Sequence, residues 1–170
     1  MAAEEEAPKT TQTAALAEIY TDGSCHTQHR IGAWVAILLI GPEKFILSGV
    51  IPDTTHNRME LTAVIRALEC CRTRYPSTRT IKICTDSQYV MGLAARAAKT
   101  SSPLRNADLV KELLDQLETF TIAIEWVKIK AHQKSTDVPN YNREADKLAR
   151  KMLRENSRSL PLPPHSSLGA

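Results

Sequence analysis

The stretch ICTDSQYV, residues 83–90, is typical of a strand that runs directly into a helix. Asp86 lies at the junction, where its carboxylate can cap the helix by accepting a hydrogen bond from a free N–H of the first turn. An earlier stretch, IYTDGS at residues 19–24, has the same pattern and places Asp22 after its apolar run. How these two segments lie relative to each other decides the fold.

The remaining hydrophobic pattern predicts the element order βββαβααβα. Apolar runs favour strands at residues 17–23, 33–40, 44–51, 80–86 and 122–130. Helical spacing favours helices at residues 57–75, 87–99, 106–120 and 142–156. Strands that follow helices tend to lie parallel to an earlier strand through right-handed crossovers. We therefore expect an α/β fold with a five-stranded mixed sheet flanked by helices, and with Asp22 and Asp86 at one edge of it.

Length and composition predict one folded domain between two polar ends. The chain has 170 residues, of which 42% are hydrophobic and 24% charged, which suffices for one core. We predict a flexible tail at residues 1–16, a folded domain at 17–155 and a flexible Pro- and Ser-rich tail at 156–170. The net charge of +3 is compatible with a polyanionic partner without establishing one.

Cysteine usage and the N-terminal residues bear on the compartment. The four cysteines lack C-x-x-C spacing, which disfavours a zinc site and a disulfide scaffold. The N-terminus MAAEEEAPKT is acidic where a secretory signal is basic, and no apolar run approaches the ~20 residues of a membrane span. We expect a soluble, cytoplasmic protein that does not bind membranes.

Four carboxylates fall at the starts or ends of predicted elements, and each has a structural explanation. Asp22 precedes a glycine as in a turn, and Asp86 suits a helix cap. Asn57 and Glu60 have the spacing of a capping box. Asp146, near the start of the last helix, suits the helix dipole.

Taken together, these carboxylates favour a metal site. Four acids brought to one sheet edge repel one another, and such a cluster persists only when cations neutralise it. Hard oxygen ligands favour Mg²⁺ or Mn²⁺. Two such ions, ~3.5–4 Å apart, would clamp the attacking and leaving oxygens of a phosphodiester.

Six motifs, in this order, resemble those of type 1 ribonuclease H and cover nearly all of residues 18–153: YTDGSC, TTHNRMELTAVIRAL, TDSQYV, NADLVKEL, WVKIKAH and NREADKLAR. The resemblance implies a ribonuclease H-like fold and a catalytic domain at 17–155. It implies endonucleolytic hydrolysis of the RNA strand of RNA/DNA hybrids by two-metal-ion catalysis, which leaves a 5′-phosphate and a 3′-hydroxyl. The implied cofactor is two Mg²⁺ ions, for which Mn²⁺ substitutes, and the implied state is a monomer.

The resemblance also implies roles for individual residues. Asp22, Glu60, Asp86 and Asp146 match the catalytic, metal-binding quartet, and His132 matches a loop histidine for proton transfer or product release. The substrate-binding residues implied by position are Gly23, Ser24, Cys25, Gln28, Thr55, Asn57, Ser87, Gln88 and Asn142. Three of these have alternatives, because Thr55 can cap a helix, Asn142 can cap the last one, and Ser87 can merely support the turn beside Asp86.

Some segments depart from the family pattern. Many members carry a Trp- and Lys-rich protrusion, whereas residues 92–104 here are GLAARAAKTSSPL. We expect weaker substrate affinity or a compensating basic surface elsewhere. A basic face of the last helix either contacts nucleic acid or a partner, or is merely solvated. That face consists of Arg143, Lys147, Arg150, Lys151, Arg154 and Arg158.

The sequence leaves two other interpretations of the chain open. The chain can be the ribonuclease H domain of a reverse transcriptase or retroelement. Alternatively, it can be a catalytically silent module that binds hybrids. The complete carboxylate quartet argues against the silent module, because nothing else would favour four mutually repelling acids.

Overall fold

The structure, a computed structural model, describes residues 16–96, 105–130 and 139–158. The order of elements is the predicted βββαβααβα. The strands are β1 (Leu16–His26), β2 (Ile31–Ile40), β3 (Glu43–Ile51), β4 (Thr80–Thr85) and β5 (Ala123–Lys128). The helices are α1 (His56–Arg74), α2 (Gln88–Arg96), α3 (Ala107–Thr119) and α4 (Tyr141–Ser157). None of these helices is both long and apolar enough to cross a membrane.

The strands form one mixed sheet in the order β3-β2-β1-β4-β5, which confirms the predicted fold class. β1 pairs with β2 in antiparallel and with β4 in parallel orientation. The parallel register pairs Tyr20 with Cys84, and both strands then run in the same direction. Asp22 and Asp86 each follow two residues later, so they come level just beyond the paired residues of β1 and β4.

Helices cover both faces of the sheet, and β2 is buried between them. Ala36, Leu38 and Ile40 of this strand lie in the core cluster that α1 covers. Val35 and Ile37, which point to the opposite face, pack with Ala145 and Ala149 of α4. The sheet is therefore a three-layer sandwich at its centre, with α1 and α4 on opposite sides of β1 and β2.

The residues that cap the helices differ from those suggested by the sequence. Thr55 caps α1, because its Oγ1 accepts a hydrogen bond from Arg58 N–H at 3.4 Å. The capping box at Asn57 is therefore wrong, and the cap interpretation of Thr55 is confirmed. In α2 the side chain that accepts a first-turn hydrogen bond is Ser87, whose Oγ lies 3.3 Å from Val90 N.

The start of α4 needs the same correction. Asn140 is the N-cap, and its Oδ1 accepts from Arg143 N–H at 3.0 Å. Asn142 lies inside the helix, so the cap interpretation of that residue is wrong. Glu144 is the acidic residue of the first turn, which places Asp146 beyond the turn where the helix dipole acts. Asp86, Glu60 and Asp146 therefore have no capping role that would explain them.

Gly23 lets the start of α1 approach β1. A Cβ built on Gly23 would lie 2.6 Å from the backbone N of Glu60 and 2.8 Å from the backbone C of Met59. Backbone atoms cannot rotate away as a flexible side chain can, so any larger residue would push α1 off the strand. The distance between Asp22 and Glu60 therefore depends on the glycine between β1 and α1.

We expect Gly23→Ala to lower the free energy of unfolding by about 1–3 kcal/mol, because the added methyl overlaps backbone of α1. Gly92→Ala is the matched control, since nothing lies within 4 Å of a Cβ at that helical position. It should raise stability by up to ~1 kcal/mol, as Ala is the better helix former. Urea denaturation of both variants measures the contrast, and equal changes would show that β1 and α1 tolerate separation.

Candidate active site

Three carboxylates meet at the carboxyl ends of the two central parallel strands. Asp22 lies in β1, Asp86 directly follows β4, and Glu60 lies one turn into α1. One oxygen from each side chain lies within 4.8 Å of the other two. The sheet register supplies the first two carboxylates, and the close approach of α1 over Gly23 supplies the third.

Two of these carboxylates are deeply buried, and one oxygen of each has no hydrogen-bond partner among the described residues. Asp22 is 6% exposed and Glu60 is 2% exposed. Among the residues that the structure describes, Asp22 Oδ2 and Glu60 Oε2 are buried and have no hydrogen-bond partner. Burial, followed by repulsion from Glu60, Asp86 and Asp146, raises the pKa of Asp22 from 3.8 to about 8. Burial also raises the pKa of Glu60.

His56 partly offsets the charge of Glu60. Its Nε2 lies 3.3 Å from Glu60 Oε1, one helical turn away, and this hydrogen bond opposes the rise in the pKa of Glu60. The same bond raises the pKa of His56. The sequence pattern did not single out His56, because the His-x-x-x-Glu spacing on a helix permits this contact without establishing it. Oε1 of Glu60 therefore contacts His56, whereas Oε2 has no partner among the described residues.

Asp146 lies beside this cluster rather than within the group of three. Its Oδ1 accepts from Arg150 Nε at 2.8 Å, one turn along α4. Its charge still reaches Asp22, whose pKa it raises. The structure therefore brings three predicted carboxylates together and places the fourth, ion-paired, next to them.

The donor set fits a divalent cation. The ligands available are carboxylate oxygens, which suit Mg²⁺ or Mn²⁺ better than softer metals. Two buried oxygens without hydrogen-bond partners are costly unless a cation or a proton neutralises them. The cluster thus has both the chemistry and the unsatisfied oxygens of a metal site.

Four of the predicted substrate-binding residues lie in β1 or in the turn after it. Gly23, Ser24 and Cys25 continue β1 beyond Asp22, and Cys25 Sγ donates to the carbonyl of Thr54 at 3.4 Å. Gln28 is exposed in the turn that follows β1.

The remaining predicted substrate-binding residues lie at helix starts. Thr55, Asn57 and Gln88 are exposed at the starts of α1 and α2, next to the cap residue Ser87. Asn142 is buried in α4, and its Oδ1 has no partner. His132 lies outside the described residues.

The fold and site define an α/β protein with a carboxylate cluster that fits a divalent cation at the edge of a mixed sheet. The sequence profile of the ribonuclease H family, described as RNase H, matches residues 14–154. The chain is 38% identical over 148 residues to "Ribonuclease H" of Dechloromonas aromatica (strain RCB), covering 81% of this chain and 93% of that protein. It is 33% identical over 157 residues to "Ribonuclease H" of Thermoanaerobacter sp. (strain X514), covering 86% and 95%. The chain belongs to the ribonuclease H family of enzymes, which confirms the resemblance.

We expect Mg²⁺ to stabilise the chain through these carboxylates, most strongly above pH 8. The raised pKa of Asp22 means that the folded, metal-free chain holds a proton that the unfolded chain has released. Without metal, the free energy of unfolding therefore falls as pH rises from about 4 to about 8. Mg²⁺ at 100 times its Kd should raise Tm by about 5–10 °C.

The control variants separate this site from general salt effects. Asp22→Asn should weaken both the pH dependence in EDTA and the Mg²⁺ shift. Asp115→Asn removes an exposed carboxylate of α3 that pairs with Lys111, and it should keep the full Mg²⁺ shift. Thermal unfolding at pH 5–9 measures both effects, and equal Mg²⁺ shifts in the parent and Asp22→Asn would contradict a metal site at Asp22.

Proposed function

We propose that the chain hydrolyses the RNA strand of RNA/DNA hybrids endonucleolytically with two divalent ions, leaving a 5′-phosphate and a 3′-hydroxyl. The observation that carries the proposal is the group of Asp22, Glu60 and Asp86, with one oxygen each within 4.8 Å of the others. Membership of the ribonuclease H family supports cleavage of RNA in hybrids. The ion pair next to the site, between Asp146 and Arg150, adds a fourth carboxylate.

The side chains have distinct tasks in this proposal. Asp22 and Glu60 would hold Mg²⁺, or Mn²⁺ in its place, through the buried oxygens that have no other partner. The bound ions would lower the pKa of water and neutralise charge on the phosphodiester. Asp86 is only half-buried, so its carboxylate faces both the buried acids and an approaching substrate.

His56 has a positional task in the same scheme. Its contact with Glu60 Oε1 at 3.3 Å would restrict the rotation of that carboxylate. A ligand held by a second hydrogen bond loses less freedom when a cation arrives.

The charge of the cluster sets the order of binding. Three carboxylates within 4.8 Å would repel the phosphates of a nucleic acid in the absence of cations. Cations therefore need to be in place before a phosphodiester can approach. This requirement explains how an acidic site can be compatible with a polyanionic substrate.

Recognition of the hybrid would involve residues that border the carboxylates. Asn57 and Gln88 are exposed where α1 and α2 begin, and their amides can contact base edges. The backbone of residues 23–25 continues β1 past Asp22, where it can meet ribose 2′-hydroxyls. His132 is proposed to assist proton transfer or product release, by family resemblance alone.

The competing candidate, a silent hybrid-binding module, fits the site less well. A protein that only binds hybrids gains nothing from two buried carboxylates whose ionised forms are disfavoured. Such acids weaken both the fold and the attraction for phosphates. Their presence favours a catalytic site.

Asp86→Asn should lower activity much more than stability, whereas Ser87→Ala should lower stability more than activity. Asp86→Asn removes a metal-facing carboxylate, and cleavage should fall at least ~100-fold with little loss of stability. Ser87→Ala removes the acceptor of the Val90 N–H bond, and it should cost about 1 kcal/mol while most activity remains. Hybrid cleavage and urea denaturation of both variants measure this crossover.

The substrate controls test the specificity of the reaction. The parent should cleave an RNA/DNA hybrid in Mg²⁺ or Mn²⁺, spare duplex DNA and duplex RNA, and be inactive in EDTA. End-labelling of the products identifies the 5′-phosphate and 3′-hydroxyl. Absence of hybrid cleavage by the parent, or equal cleavage by Asp86→Asn, would overturn the proposed function.

A further inference from the structure

One face of α4 carries a stripe of positive charge. At 3.6 residues per turn, the five cationic side chains of α4 and that of its C-cap residue Arg158 fall within an arc of about 100° on the helix surface. The three acidic residues of the helix, Glu144, Asp146 and Glu155, fall outside that arc. The members of this basic stripe, all exposed, are Arg143, Lys147, Arg150, Lys151, Arg154 and Arg158.

The stripe points away from the sheet. Ala145, Ala149 and Leu153 are buried against β2 on the opposite side of α4. Helical geometry therefore turns the cations toward solvent, and the stripe extends about 22 Å along the helix axis. It begins beside Asp146, so one end of it borders the carboxylate site.

Most of this charge is not neutralised within the described parts of the chain. Arg150 pairs with Asp146, and Lys151 lies 3.9 Å from Glu155 in an exposed pair of small energetic value. Across residues 16–96, 105–130 and 139–158, no carboxylate lies within 4.0 Å of the other four cations. The six cations also exceed the net charge of +3, so the rest of the chain is net acidic.

We infer that the basic stripe binds the phosphates of a nucleic-acid duplex outside the carboxylate site. This inference rests on the proposed function, because the duplex is the substrate of that site. Each strand of a duplex carries one phosphate per ~3.4 Å of the duplex axis, so 22 Å of helix spans a length with about six phosphates on each strand. Contacts of this kind carry no sequence or sugar information, and they would strengthen binding of any duplex.

The chemistry of the stripe favours nucleic acid over a protein partner. Protein interfaces, in which Arg is also enriched, have an apolar core with aromatic side chains, whereas a phosphate-binding surface needs only Arg and Lys. Among the described residues, the exposed large hydrophobics are Leu16 and Ile46, and neither lies on α4. The stripe thus offers charge without an apolar anchor.

The test measures duplex binding in EDTA by fluorescence anisotropy, with the full-length chain and 50–200 mM salt. The stripe variant, Lys151→Gln/Arg154→Gln/Arg158→Gln, removes three cations far from Asp146. Each lost phosphate contact lowers the slope of log K against log salt by ~0.9, so the slope should fall by about 2–3 units. Affinity should fall at least ~10-fold at low salt, for hybrid and duplex DNA alike.

Two controls keep the result interpretable. Arg72→Gln/Arg74→Gln/Arg79→Gln removes three exposed cations at the end of α1 and before β4, with the same change in net charge. It should leave the salt slope within ~1 unit of that of the parent. Lys151→Arg/Arg154→Lys/Arg158→Lys keeps the charge and should bind like the parent.

The outcomes separate this inference from the proposed function. If the stripe variant and the Arg72→Gln/Arg74→Gln/Arg79→Gln variant gave equal slopes of log K against log salt, the inference would be overturned, even if the parent cleaves hybrids. A stripe-dependent slope in a parent that cleaves no hybrid would support the phosphate-binding surface and overturn the proposed function. A parent that binds no duplex in EDTA would overturn the inference, whereas the proposed function, whose site needs cations, is decided by the cleavage assay.

Discussion

The parallel pairing of β1 with β4 is the constraint on which the site depends. Tyr20 pairs with Cys84, and this register brings Asp22 and Asp86 level at the same end of the sheet. If the pairing of β1 with β4 shifted by one residue, the side chain level with Asp22 or Asp86 would point to the opposite face of the sheet. β1 is also the central strand, so helices on both faces can approach Asp22 from either side.

The cluster that results works against the stability of the metal-free fold. Burial and mutual repulsion raise the pKa of Asp22 to about 8, which means that its ionised form is unfavourable near neutral pH. The core clusters on both sides of β1 hold the strand in place despite this cost. Cation binding and folding are therefore linked, because a cation relieves a repulsion that the fold imposes.

Much of this arrangement was predictable from the sequence. Strand and helix periods gave the order of elements, and the rule for parallel crossovers placed Asp22 beside Asp86. Helix capping was harder, because the sequence suggested Thr55 correctly but also suggested three residues that lie one or two positions from the true caps. Thr55, Ser87 and Asn140 cap their helices, whereas Asn57, Asp86 and Asn142 do not. Apolar periodicity fixes the buried face of a helix but leaves its first residue undefined.

Side-chain pairs within the helices were the least predictable part. The contacts of Glu60 with His56 and of Asp146 with Arg150 depend on which rotamer each side chain adopts. The i, i+4 spacing allows such pairs but also allows each partner to face solvent. The sequence therefore indicated which carboxylates converge, whereas only the structure shows which oxygens have partners and which do not.

The distribution of charge around α4 follows from which side of the helix packs against the sheet. Its small residues, Ala145 and Ala149, let the helix pack closely on the sheet, which holds Asp146 near Asp22. The cations that keep the helix soluble must then occupy the opposite side. A polyanion near this protein is attracted along the length of α4 and repelled at the carboxylate end until cations bind there. Divalent cations therefore control whether the attraction along the helix can bring a phosphodiester to the site.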